Sequence, residues 1–439
     1  MDFKKKIEII LVMLVILILI LIVAFWYVNN QTTENTEKTN TLQIEFEDVS
    51  SDVEKIERAE YNIISNVVTT YIQTLDMNNS RYYGQDESGN LVEIVSEDEK
   101  KQFILNLLSS DYISQNNITT RNLQEYVETK EEQLIFVPVE IKKLSEDNIS
   151  TFVTYGIVEN LNYELNDEVT LIVNIDFTNR TFSIEPTTQN YDEITNIAQN
   201  MTSIEQNDNN QYSIPIINNE NIVRDYINQY KRLVLVAPEL VYEKFDETYR
   251  NERFGSLENF QNYISKNADE IKRISLDEYL VNTYDGYTQY VGRDKYDNTY
   301  IFNENSVLDF TIQLDTYTIL TDNFKTTYDE GNDMQKVRMN IDRWVEMINN
   351  RDYHTAYKYL DETFRNNNFG SEEAFEQYMR DNFPLHYQLQ VGQFEETNQT
   401  YTQYIVLTDI TGETSDEIEN TIIMQLKDDY DFVMSFSVE

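Results

Sequence analysis

Two stretches of this chain are near-copies of each other. Phe245 to Ile264 reads FDETYRNERFGSLENFQNYI, and Leu360 to Met379 reads LDETFRNNNFGSEEAFEQYM, aligned without a gap 115 positions on. Self-similarity at a fixed spacing means that one folding unit was duplicated, so the chain is an array of like domains. A third, faded copy lies at residues 112–127, YISQNNITTRNLQEYV. There Tyr112, Leu123, Tyr126 and Val127 take the places of Tyr249, Phe260, Tyr263 and Ile264. At 439 residues the chain is too long for one core and fits about three domains.

The coarse pattern repeats with the motif. Ile56, Ala59, Ile63, Ile64, Val67, Val68, Tyr71 and Leu75 recur at helical spacing, which predicts a long amphipathic helix. A polar loop near Gly84–Gly89 follows, then the apolar run Phe103–Leu108, then strand-like runs at 133–144, 151–158, 169–177 and 181–184, rich in β-branched residues. The next copy predicts helices over 222–236, 239–250 (Pro238 at its start) and 257–267, then strands over 274–279, 286–294, 307–314 and 317–321. The last predicts helices over 337–349, 353–364 and 371–382, with strands from His386 onward. Tyr287-Thr-Gln-Tyr290 and Tyr401-Thr-Gln-Tyr404 look like a further echo inside the strands. Helices followed by strands in each copy argue an α+β layer fold. Alternation such as Phe310, Ile312, Leu314 in and Thr311, Gln313 out predicts a sheet with one solvated face.

The motif has a physical reading. Phe254 packs back on the core, Gly255 allows a tight turn, and Ser256 accepts a free helix N–H. Phe260, Tyr263 and Ile264 then share one helix face. Phe369, Gly370, Ser371, Phe375, Tyr378 and Met379 match them, and Tyr249 matches Phe364. Asp246-Glu247 and Asp361-Glu362 are expected inside a helix, facing water. Recurrence in every copy favours packing over chemistry.

Lys4, Lys5 and Lys6 precede the uncharged run Ile9 to Val28. That length, at about 1.5 Å per residue, matches a hydrocarbon core of about 30 Å. Trp26 and Tyr27 suit the interface, and the lysines keep the N-terminus cytoplasmic. No small-x-small cleavage site follows, so an uncleaved signal anchor is expected. The expected organisation is a cytoplasmic tail (1–8), a transmembrane anchor (9–28), a flexible polar stalk (29–52), a first domain (53–188), a linker (189–216), a second domain (217–322), a linker (323–332) and a third domain (333–439). The domains would lie outside the plasma membrane.

Net charge is −44, from 34 Lys and Arg against 78 Asp and Glu, which repels nucleic acid and anionic lipid. The chain has no Cys, which excludes disulfides, zinc–thiolate sites and thiol nucleophiles. His354 and His386 are the only histidines and read as packing or surface residues. No Gly-x-Ser-x-Gly elbow or Gly-rich phosphate loop occurs. The acidic stretch Asp294–Asn305 lacks the Gly and Glu positions of a calcium loop. The residues point to no catalytic group, cofactor or metal, although a buried Asp beside a Tyr would suit proton transfer.

The pattern Tyr…Leu…Tyr/Phe-Arg-Asn…Phe-Gly-Ser…Phe-x-x-Tyr over Tyr242–Tyr263 and Tyr357–Tyr378 resembles that of the nuclear transport factor 2-like superfamily, and especially its extracytoplasmic members common in Gram-positive bacteria. The resemblance covers most of 53–439 in three copies. It implies cones in which a curved antiparallel sheet wraps around helices. Such cones serve as enzymes, such as ketosteroid isomerase, or as non-catalytic interaction domains, and fold alone does not choose. The leading expectation is a non-enzymatic, membrane-anchored scaffold or docking protein of the bacterial envelope, whose partner is another envelope protein. A small ligand or peptide held in a cone is the second reading, and a cone enzyme using an Asp–Tyr pair the third.

Overall fold

The computed structural model describes residues 56–438 except 87, 147, 190, 192–193, 195–202, 207, 215, 297, 315–321 and 416. The expected tail, span and stalk, and the strand expected over 317–321, lie outside the described residues. Among the described residues no helix is long and apolar enough to cross a membrane. Residues 51–320 and 327–439 belong to one compact unit.

The first module has α1 (Arg58–Thr74), a small hairpin of β1 (Tyr83–Gln85) and β2 (Leu91–Glu93), α2 (Glu97–Leu107), α3 (Ser110–Asn116), then β3 (Leu134–Ser145), β4 (Ser150–Asn160), β5 (Asp167–Asp176) and β6 (Thr181–Thr187). The second has α4 (Asn219–Val236), α5 (Pro238–Tyr242), α6 (Glu247–Arg253), α7 (Leu257–Lys272), then β7 (Leu276–Thr283), β8 (Thr288–Asp294), β9 (Thr299–Ser306) and β10 (Asp309–Gln313). After α8 (Asp322–Glu330), the third has α9 (Asp333–Asn349), α10 (Tyr353–Lys358), α11 (Glu362–Asn368), α12 (Glu372–Asn382), then β11 (Tyr387–Thr397), β12 (Thr400–Asp409), β13 (Glu417–Leu426) and β14 (Phe432–Phe436).

In each module the four strands form an antiparallel meander in chain order. The long helix packs on the sheet because its apolar positions recur three and four apart. Ile222, Tyr226, Tyr230 and Leu233 of α4 and Val337, Ile341, Val345 and Ile348 of α9 are all buried. One backbone detail recurs at the repeat spacing. The residue before the N-cap of the short helix that opens the repeated stretch (α3, α6 and α11) makes a parallel bridge to the last strand: Leu108 to Ile184, Phe245 to Ile312, Leu360 to Met434. Leu108 lies 137 positions before Phe245, and Leu360 lies 115 after it. The three modules therefore share sheet order and this bridge, and the second and third share element order as well.

Several expectations are corrected. The single helices expected over 239–250 and 353–364 are each broken in two, because Phe245 and Leu360 turn outward to bridge the last strand. Asp246 and Asp361 are therefore not inside a helix. Each is an N-cap, accepting from the amides of Tyr249 and Phe364 at 2.9 Å. The third copy keeps this device, with Ser109 accepting from the amide of Tyr112 at 3.3 Å.

The stretch Asp294–Asn305 is a turn followed by strand β9, which went unread. Tyr300, Ile301 and Phe302 are all buried there, so no alternation marks the strand. The expected linker 323–332 is largely helix α8. The Tyr-Thr-Gln-Tyr echo is out of phase. Tyr290 faces its core and Tyr287 precedes β8, whereas Tyr401 is buried and Tyr404 points the other way.

The expectation of a solvated sheet face fails for the first module. Phe152 and Val158 of β4 pack in the core under α1, and Val153 and Ile157, on the opposite face, are buried too. Ile157 is covered by the helix that opens the second module, and Val153 by Tyr191 and Ile194, which follow the first module's last strand.

Candidate functional site

The repeat motif is a helix start fixed to a core. Gly255 and Gly370 have φ of +73° and +75°, the left-handed region open to glycine. A Cβ would meet nothing closer than 3.8 Å at Gly255 and nothing within 4 Å at Gly370, so conformation, not space, demands glycine. Ser256 and Ser371 accept from the amides of Asn259 and Ala374 at 3.2 and 3.3 Å. Asn259 does not complete a capping box; its side-chain NH2 donates to the Phe254 carbonyl at 2.9 Å. Phe254 meets fully buried Phe260 at 4.8 Å, and Phe369 meets fully buried Phe375 at 5.2 Å. Leu123 is equally buried in the first module, but a short 3₁₀ turn (Leu123–Glu125) replaces the motif helix. Of the remaining motif residues, Tyr249 is buried and its hydroxyl accepts from the amide of Leu314 at 3.2 Å. Tyr378 and Phe364 line the third core.

A second repeated device escaped the sequence reading. The last residue of each second strand is a buried Asx whose side chain accepts amides across the following turn. Asn160 takes those of Asn162 and Glu164, Asp294 those of Tyr296 and Asn298, and Asp409 those of Thr411 and Thr414. Asp294 and Asp409 stand at the repeat spacing; Asn160 is displaced from its own by three positions, which hid the match.

Acid–tyrosine pairs do occur. Tyr300 donates to Asp294 at 3.2 Å, and burial pushes the Asp294 pKa up. Yet that carboxylate already accepts from Tyr296, Asn298 and Tyr300 and holds its turn. Tyr401 donates to Asp333 at 2.7 Å in the third module. In the second module Tyr226 donates to Glu304, and Arg58 of α1 binds both, at 2.9 Å from the Tyr226 hydroxyl. Each acid is thus already engaged.

The modules meet along two seams. At the first, Val137, Val139 and Ile157 of the first sheet join one apolar core with Ile222, Val223 and Ile227 of α4. Gln229 donates to the Pro138 carbonyl at 2.5 Å, beside a bulge in β3. Arg232 pairs with Glu159, whose side chain is fully buried and whose pKa burial raises.

The second seam is polar. Arg253 meets Asp352 at 2.8 Å with exposures of 4% and 0%. Asp352 also caps α10 through the Thr355 amide. Arg351 bonds Glu270 at 3.1 Å and the Pro384 carbonyl at 2.7 Å. Lys266 reaches Glu376 at 2.7 Å. Burial would raise the Glu376 pKa, but Lys266 and Arg380 outweigh it and hold it below the usual range. His386 stacks on Tyr296 at 4.9 Å. Burial, aided by the Arg351 charge, depresses its pKa to about 3, so it is neutral. Between these groups lies a cavity of about 40 Å³, lined in part by Tyr230, Tyr300, Asp294 and Asn350. That is room for water, not for a metabolite. His354 sits apart, 2.8 Å from Glu372.

Among the described residues no cluster of His, Asp and Glu is arranged to hold a metal. Compared with known proteins, the chain matches no family model and no curated sequence.

Proposed function

We propose that the chain is a non-enzymatic scaffold or docking protein of a bacterial envelope, anchored by residues 9–28 and holding three cone-like modules outside the membrane. The observation that carries this reading is the fate of the polar side chains. In a chain with few cations, Arg58, Arg232, Arg253 and Arg351 are committed to joining modules. Cone interiors are occupied by their own side chains, as where Tyr226 stacks on Phe302 at 5.2 Å and meets Phe310 at 4.6 Å. This favours a spacer over an open ligand pocket, and the engaged acids argue against proton transfer.

The first module adds a feature the others lack, the hairpin β1–β2, with Leu91 and Ile94 exposed by 72% and 63%. Exposed apolar side chains of this kind suit a protein contact. A photo-cross-linking residue at Ile94, irradiated in the cells that make the protein, tests the reading. A discrete protein adduct, lost with Leu91→Asp, is expected. Absence of any adduct, together with a small molecule copurifying with the chain, would favour the ligand reading.

A further inference from the structure

The second seam encloses one titratable side chain that none of its charges serves. His386, just before β11, is 5% exposed and stacks on Tyr296, in the turn after β8 of the second module, at 4.9 Å. Among the described residues no group hydrogen-bonds its ring. Two cations stand near, Arg351 after α9 and Lys295, which lies 4.5 Å from the Tyr296 ring centroid. The carboxylates around it are all committed. Glu270 of α7 pairs with Arg351. Asp294 accepts the amides of Tyr296 and Asn298, and Asp409 those of Thr411 and Thr414. Tyr230, Tyr263 and Tyr300 of the second module and Tyr387 of the third add only neutral phenols. An imidazolium here would sit out of water beside two cations with no free acid.

The seam can open without unfolding what it joins. The apolar core of the second module and that of the third share no residue. What crosses between them is Arg253–Asp352, Arg351–Glu270, Lys266–Glu376 and Arg380–Asn267. Water can solvate every one of these groups on separation.

We propose that the second seam is an acid-released latch, in which protonation of His386 undocks the third module while each module stays folded. The latch rests on the seam's geometry and does not require the scaffold reading. Docked, the ring is held neutral; released, it returns to water and takes a proton near its usual pKa of 6.5. Protons then favour the released state, so docking is complete above pH 6.5 and weakens as pH falls. Glu376, held low by Lys266 and Arg380, acts in the same sense below 4.5. Asp294, whose pKa burial raises, acts in the opposite sense, and His386→Phe leaves both of those contributions in place.

The test measures opening through cysteines placed in the cysteine-free full chain. Asn267→Cys puts a thiol on α7, buried at the seam; Asp428→Cys is exposed and serves as the reference; Ala356→Cys is buried in the core of the third module. Each is labelled with a neutral pyridyl disulfide, and rates are divided by that of Asp428→Cys. Between pH 7 and pH 5 the relative rate at Asn267→Cys is expected to rise about 20-fold, and under about threefold when His386→Phe is added. Ala356→Cys stays protected throughout. No rise at Asn267→Cys, or the same rise with His386→Phe, overturns the latch. A parallel rise at Ala356→Cys also overturns it, since the module then unfolds and does not undock. Should Asn267→Cys fail to fold, Asn350→Cys, on the other side of the same cavity, is the reporter and is read in the same way.

Discussion

The two seams join like modules by unlike chemistry. At the first, the sheet of one module packs on the opening helix of the next, and Val137, Val139, Ile157 and Ile227 are in one core. At the second, the motif helices α7 and α12 approach through Lys266–Glu376 and Arg380–Asn267, and Arg253–Asp352 is buried alongside. The difference begins with one sheet face. The first module's outer face carries Val139, Val153 and Ile157 and needs cover, whereas the third module's β11 is mostly exposed and polar. The first seam is mainly apolar, with Arg232–Glu159 as a buried ion pair beside its core, and an apolar core responds little to pH or salt, while a seam built mainly of charges responds to both. The first two modules are thus joined mainly by apolar packing, and the third mainly by charged and polar contacts.

The sharpest way to break this contrast is Arg253→Met, which leaves Asp352 buried without its charge partner. We expect a loss of about 3–5 kcal/mol, read in urea by the fluorescence of Trp344, which is buried in the third core. Ile157→Ala is expected to cost about 2–5 kcal/mol at the first seam, equally at low and high salt.

Acid separates the seams next. Burial lowers the His386 pKa from the usual 6.5 to about 3 in the folded chain, so it is buried neutral. Its stabilising effect is complete above pH 6.5 and is lost as pH falls toward 3, by about 1.4 kcal/mol per unit. Glu376, held low by Lys266 and Arg380, adds a further loss as pH falls below the usual glutamate pKa of 4.5. A urea titration followed by Trp344 across pH 7 to 4 checks this, and His386→Phe should flatten the slope. Gly370→Ala is expected to cost about 1 kcal/mol from its positive φ alone. Lys266→Ala, removing a half-exposed pair, should cost under about 1 kcal/mol, and the cost should vanish in high salt.

Much of the architecture was legible because it rests on local signals. The Phe-Gly-Ser start announced a turn, a cap and a buried face, and all three appear at Gly255, Ser256 and Phe260. The long helices were readable from apolar spacing, and the first module's strands from their β-branched runs. The breaks at Phe245 and Leu360 were not, since a one-residue bridge to a distant strand leaves no local mark. Strand β9 was hidden because both its faces are buried. The seams were illegible for a related reason. Nothing near Arg253 in sequence tells that Asp352, in the next module, is its partner. Arg58 likewise answers to Glu304, far along the chain.

The functional reading depends on where the modules sit, and the absence of native cysteine makes that directly measurable. Asp428→Cys, in the exposed turn before β14, and Phe3→Cys, ahead of the apolar run, would each be treated in intact cells with a membrane-impermeant maleimide. With the modules outside, residue 428 is labelled in intact cells and residue 3 is protected until the cells are opened. Protection at 428 in intact cells would place the modules inside and contradict the functional reading.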